Sequence, residues 1–312
     1  MTHSRGRAAT ADGIFWGRSG GEEPWAIRAR SVVVGVDGSE AASDAVRWAA
    51  DEAARSHLPL RLVAAVEWVT PHRIGATGLE PPDVREAVVT TAEGWLADAR
   101  TLAEDAAPSP EVQTQVRGGT PAAVLHQESA DAQLVVVGHR GRGRVSGLLS
   151  GSVAVAVAAS ARCPVVVVRG TATANGPVVV GVDGSMVSEA ALSYAFATAS
   201  ARRAGLVAVH VWNDSTVDTA DWALRDRDAI EATEHEVLAE RLAGWSEKYP
   251  DVAVEPLIVR DDPASVLVDH AATAQLVVVG SRGRGSVRGT LLGSVSQALL
   301  RRASCPVAVV RP

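Results

Sequence analysis

The chain has 312 residues, 47% of them hydrophobic and 21% charged, with a formal net charge of −6 from 36 acidic and 30 basic residues. That size and balance suit a globular protein of about two domains and exclude a polybasic binder of nucleic acid or anionic membrane. With no run of about 20 uncharged apolar residues and no apolar stretch after the first arginines, the expected location is cytoplasmic, with neither membrane nor nucleic acid as partner.

Residues 1–28 are rich in Gly, Ser, Arg and Ala without a period, and are read as a disordered N-terminal extension. From Ser31 a continuous β-branched run leads to Asp37-Gly38-Ser39, as in a strand covered on both faces. Ala42, Val46, Ala49, Ala50 and Ala53 then recur at helical spacing between Glu40 and Ser56. Leu60 to Trp68 is a second strand, and a long helix from about Asp83 to Ala106 is ended by Pro108 and Pro110. Val112, Thr114 and Val116 alternate with Gln113 and Gln115, predicting a strand exposed on one side. Thr120-Pro121 supplies a cap and a first-turn proline for a short helix. Leu134 to Val137 is the fourth strand, a glycine-rich basic loop and a helix from Ser152 to Ala161 follow, and Cys163 to Val168 is the fifth.

From Pro177 the whole order starts again, so the chain is an internal repeat of about 142 residues. The expected halves are 29–170 and 177–312, joined by a short polar linker at 171–176. Strands alternating with helices specify an α/β class: two tandem doubly wound parallel five-stranded sheets, Rossmann-like, with helices on both faces. Cys163 and Cys305 occupy matching places before a proline and read as reduced core residues.

The glycine loop appears twice, as Gly138-x2-Gly141-x9-Gly151-Ser152 and Gly280-x2-Gly283-x9-Gly293-Ser294. Strand, glycine-rich loop and helix start can bring backbone N–H groups to an anion, so each copy reads as a phosphate cradle. In open parallel sheets ligands bind at the carboxyl ends of the strands. If strands one and four are neighbours, Asp37 and Asp183 face the same crevices as the loops. No Walker A lysine, dinucleotide fingerprint or nucleophile elbow is present. A carboxylate would repel a phosphate placed beside it, so Asp37 and Asp183 suit the end of a ligand away from its phosphates. Arg140, Arg142 and Arg144, with Arg282, Arg284 and Arg288, are helpers that offset phosphate charge. His139 has Ser281 as its counterpart and reads as a surface histidine; His235 among Glu231, Glu234 and Glu236 reads as an exposed acidic helix face rather than a metal site.

Two copies of Gly-Val-Asp-Gly-Ser, two of the glycine loop and two of Cys-Pro-Val-x-Val-Val together resemble the universal stress protein family, in its tandem ATP-binding branch. The resemblance covers about residues 30–312 and implies an adenine nucleotide alpha hydrolase-like fold. It implies that Asp37 and Asp183 contact the nucleoside and that the backbone at Val66 and Val211 meets the adenine. It also implies that Gly138, Gly141, Arg142, Gly151 and Ser152, with Gly280, Gly283, Arg284, Gly293 and Ser294, hold ribose and phosphates. The ligand implied is ATP, with Mg as a companion ion, and the fifth strands are expected to pair across domains in a protein that forms a homodimer. No catalytic residue and no protein metal site are assigned. The expected function is a nucleotide-responsive regulator or adaptor in the stress or dormancy response, with an unknown protein partner and only slow hydrolysis. The alternatives are a slow ATPase or adenylating enzyme of related fold, and an interaction protein with degenerate sites.

Overall fold

The computed structural model describes residues 31–67, 82–141, 151–212, 227–283 and 292–311. The first half runs β1 (Ser31–Gly35), α1 (Glu40–Ser56), β2 (Leu60–Val66), α2 (Pro82–Ala106), β3 (Val112–Gly118), α3 (Pro121–Glu128), β4 (Ala132–Gly138), α4 (Ser152–Ser160) and β5 (Val165–Val168). The second repeats it as β6 (Val178–Val182), α5 (Met186–Arg202), β7 (Leu206–Trp212), α6 (Arg227–Lys248), β8 (Val254–Arg260), α7 (Pro263–His270), β9 (Leu276–Gly280), α8 (Ser294–Arg302) and β10 (Val307–Val310). The calls on residues 1–28 and on 218–226 at the start of the second long helix fall outside the described residues.

The strands lie in the order β3-β2-β1-β4-β5-β10-β9-β6-β7-β8. Each half contributes five parallel strands, and the two sets continue into one ten-stranded sheet because β5 and β10 pair antiparallel, Val166 opposite Ala308. The pairing of the fifth strands is thus made within one chain. Strand alternation splits the core into two layers: Val32 and Val34 face one, Val33 the other, and both layers extend across both halves. The outer strands β3 and β8 are the half-exposed ones, and β8 carries Pro256, a residue that cannot donate to a ladder and suits an edge.

Several strands are shorter than their apolar runs. β1 ends at Gly35, although Val36 N–H still donates to Val63 O at 2.9 Å, so Asp37 sits in the turn beyond the strand. The repeat is not uniform either: 146 residues separate Asp37 from Asp183, and 142 separate Gly138 from Gly280. Residues 171–176 are not a free tether, since Thr171 N–H donates to Ser304 O (2.9 Å) and Thr173 N–H to Ala274 O (3.2 Å). On one face the halves also meet through α1 and α5, where the guanidinium of Arg202 pairs with Glu52 at 2.6 Å and lies over the Trp48 ring.

Candidate functional site

The first feature is built by the Asp-Gly-Ser turn. Asp37 Oδ1 accepts from Ser39 N–H at 3.0 Å, Gly38 takes φ +71°, and Ser39 caps α1 by accepting from Ala42 N–H at 3.2 Å. Only glycine fits at position 38, because a Cβ there would lie 2.5 Å from the Trp95 ring. The second half repeats the turn with one bond more: Asp183 Oδ1 accepts from both the N–H (2.9 Å) and the Oγ (2.7 Å) of Ser185. The local fold therefore fixes each carboxylate, whatever else it holds.

β1 and β4 are neighbours, and so are β6 and β9, so each carboxylate comes to the loop that leaves the adjacent strand. A Cβ on Gly141 would lie 2.6 Å from Asp37 Oδ2, and one on Gly283 would collide with Asp183 Oδ2. Gly138 packs on the backbone of Ala41, where a Cβ would meet the carbonyl oxygen at 2.5 Å, and Gly280 packs against Val187. The far end of each loop returns to its start: Gly151 N–H donates to His139 O and Gly293 N–H to Ser281 O, both at 2.9 Å. Asp37, Gly138, Gly141, Gly151 and Ser152 are thus brought together at the carboxyl ends of β1 and β4, and Asp183, Gly280, Gly283, Gly293 and Ser294 at those of β6 and β9. Arg142, Arg144, Arg284 and Arg288 lie outside the described residues.

Ser152 and Ser294 are the first helical residues of α4 and α8; the caps are Gly151 and Gly293, with no side chain bonded to the helix start. The first N–H groups of α4 and α8 are therefore not consumed by a cap side chain, whereas those of α1 and α5 are partly spent on Ser39 and Ser185. The two valines do not occupy matching places. Val32 pairs with Leu60 and Val178 with Leu206, so Val66 corresponds to Trp212, and Val211 to Ala65. Val66 and Val211 are one register step apart and face opposite layers of the core. A plain apolar strand offers no mark by which that step could be counted.

Sequence reading passed over two sets of residues. One is His210, which is buried: its Nδ1 donates to Val182 O at 2.8 Å and its Nε2 lies 2.9 Å from Glu234. By the strand register and the 142-residue spacing, the first half has Ala64 and Ala92 at these places, both buried. Glu234 thus turns inward instead of belonging wholly to the exposed acidic face. The other set is Arg169 and Arg311, directly after β5 and β10, whose sole sequence signal was their matching position. Burial, then the neighbouring Arg140, holds the Arg169 guanidinium below the usual arginine range; burial and Arg282 do the same to Arg311. Among the described residues no three His, Cys, Asp or Glu side chains group as a metal site would require.

A doubly repeated α/β unit, with a carboxylate turn abutting a glycine loop at the carboxyl ends of neighbouring strands, defines a tandem protein with the same turn-and-loop arrangement in each half. The profile of the universal stress protein family matches residues 29–169 and again residues 175–311. The chain belongs to the universal stress protein family. It is 43% identical over 291 residues to universal stress protein Rv2623 of Mycobacterium tuberculosis, covering 90% of this chain and 96% of that one. A universal stress protein of Mycolicibacterium smegmatis is 41% identical over 298 residues, covering 90% and 97%. In fold the chain is similar to a universal stress protein from Archaeoglobus fulgidus, with a TM-score of 0.67 at 20% identity over 91% of this chain and 97% of that one.

Proposed function

We propose that the protein binds ATP in both crevices and acts as a nucleotide-responsive regulator or adaptor in a stress or dormancy response, with hydrolysis no more than slow. One observation carries the reading: in both halves the carboxylate beyond the first strand abuts the first interior glycine of the loop that leaves the neighbouring strand, so closely that a Cβ there would collide with its Oδ2. An acceptor at one end and an uncapped helix start at the other suit a molecule with donors at one end and phosphates at the other. Mg2+ would arrive with the phosphates. A cytoplasmic place and a protein partner belong to the same proposal; no helix among the described residues is long and apolar enough to cross a membrane. A homodimer would need a surface other than the β5 and β10 edges, which are used within the chain.

Small molecules released from the purified, denatured protein should include ATP at about two per chain. The pair Gly141→Val and Gly283→Val should abolish retention in equilibrium dialysis, because each Cβ enters the space of a fixed carboxylate. Retention unchanged by the pair would favour degenerate sites. Sustained turnover near about 1 s⁻¹ in single-turnover and steady-state assays, the low end of ordinary enzymes, would instead make the protein an ATPase.

A further inference from the structure

Each glycine loop is flanked on its second side by an arginine that belongs to neither loop. Gly138 pairs with Val168, and His139 N–H donates to Val168 O at 3.0 Å, so the start of the first loop and Arg169 are held side by side. Gly280 pairs with Val310, and Ser281 N–H donates to Val310 O at 2.8 Å, which does the same for Arg311. Both side chains reach across the junction between the halves. Arg169 Nη1 donates to Leu299 O at 2.9 Å in the last turn of α8, and Arg311 Nη1 to Ala161 O at 3.5 Å at the end of α4.

In both halves a partly buried guanidinium has a second cation beside it. Arg169 is half-buried, its Nε is buried without a hydrogen-bond partner, and its neighbour is another guanidinium, Arg140. Arg311 is partly buried beside Arg282. No ion pair among the described residues includes Arg140, Arg169, Arg282 or Arg311. Arg140 and Arg282 are exposed, so water screens part of the repulsion, but a partly buried guanidinium with a second cation beside it still gains from an added anion. The strand order gives the polarity of each crevice. The start of the β4 loop, His139–Gly141, follows a strand between those that lead to Asp37 and Arg169; the start of the β9 loop, Ser281–Gly283, follows a strand between those that lead to Asp183 and Arg311.

We propose that Arg169 and Arg311 recognise the polyphosphate tail of the bound nucleotide, each in the crevice of its own half, and so set a preference for triphosphate over monophosphate. The inference rests on the nucleotide reading above. It adds a structural consequence: α8 begins at Ser294 in the second crevice and ends under Arg169 of the first, while α4 runs from Ser152 to the carbonyl held by Arg311. Each phosphate-facing arginine thus braces the helix that opens the other site.

The test compares dissociation constants for ATP and AMP on the full chain. Arg169→Gln with Arg311→Gln keeps an N–H donor for each helix carbonyl but removes the charge. The expected result is about a tenfold weaker affinity for ATP, the scale of one charge-assisted hydrogen bond, with AMP changed less than about twofold. Equal weakening of both nucleotides, or no change in either, overturns the proposal in favour of a purely bracing role. If the glutamine pair does not fold, Arg169→Lys with Arg311→Lys decides alone: losing the planar fork should lower the preference for ATP about threefold, and an unchanged preference overturns the proposal. A wild type that retains neither ATP nor AMP overturns the nucleotide reading itself.

Discussion

His139 is held against its charged form. Burial, then Arg169 and Arg140, lower its pKa, with the Val168 backbone and Asp44 opposing them. The folded state therefore binds the histidine proton more weakly than the unfolded chain does, so His139 favours folding above the ordinary value of about 6.5 and that contribution is lost as pH falls through it. His139→Ser, which copies Ser281 of the second half, should lose less urea stability between about pH 7.5 and 5.5 than the wild type. An equal loss would place the acid sensitivity elsewhere. Cys305 is a contrasting case: burial raises its thiol pKa to about 12, so in a Cys163→Ala background an aromatic disulfide reagent should label it only after denaturant is added. Both cysteines are buried and neither is in a disulfide, as their place before the fifth strands suggests.

Among the elements, the two helices that follow the Asp-Gly-Ser turns differ from those that follow the glycine loops. α1 and α5 carry serine caps, α4 and α8 begin at bare glycines. Ser39→Ala should cost about 1 kcal/mol in a urea unfolding experiment, the usual value of a serine cap. Ser185→Ala should cost more, since Ser185 Oγ also donates to Asp183 at 2.7 Å; equal costs would show that this extra bond adds nothing. The existence and order of these elements were legible because period-2 and helical patterns are strong and occur twice. Their ends were not, because the strand β1 stops at Gly35 while its apolar run, and one further backbone hydrogen bond to Val63 O, continue to Val36. The same limit hid the one-step offset between Val66 and Val211, which is a matter of pairing register.

Across the whole molecule the halves are joined by main-chain pairing at β5 and β10 and, among the described residues, by a buried ion pair. Glu52 and Arg202 are 9% and 7% accessible, and Arg202 also donates to Gln275 at 3.1 Å. Arg202→Met should destabilise the protein by about 3 kcal/mol, because it leaves a buried carboxylate with Arg55 at 3.7 Å as its remaining cation. Adding Glu52→Leu should recover much of that loss, and failure to recover would point to packing on Trp48 instead. The pair is asymmetric: by the 146-residue spacing of the turns, Ser56 stands where Arg202 does and Thr198 where Glu52 does. It therefore joins first half to second without a mirror-image contact.

The sequence by itself determined the α/β class, the repeat, the turn and loop residues and the family resemblance, because glycine spacing and strand alternation are local properties written twice. Only the tertiary structure decided that two sheets become one, that Asp37 and Asp183 abut Gly141 and Gly283, and that Arg169 and Arg311 stand beside the loops while holding helices of the opposite half. The reason is distance along the chain. Arg169 and Leu299 are 130 residues apart, and no local pattern records a contact made only when strand order and the antiparallel joint bring them together.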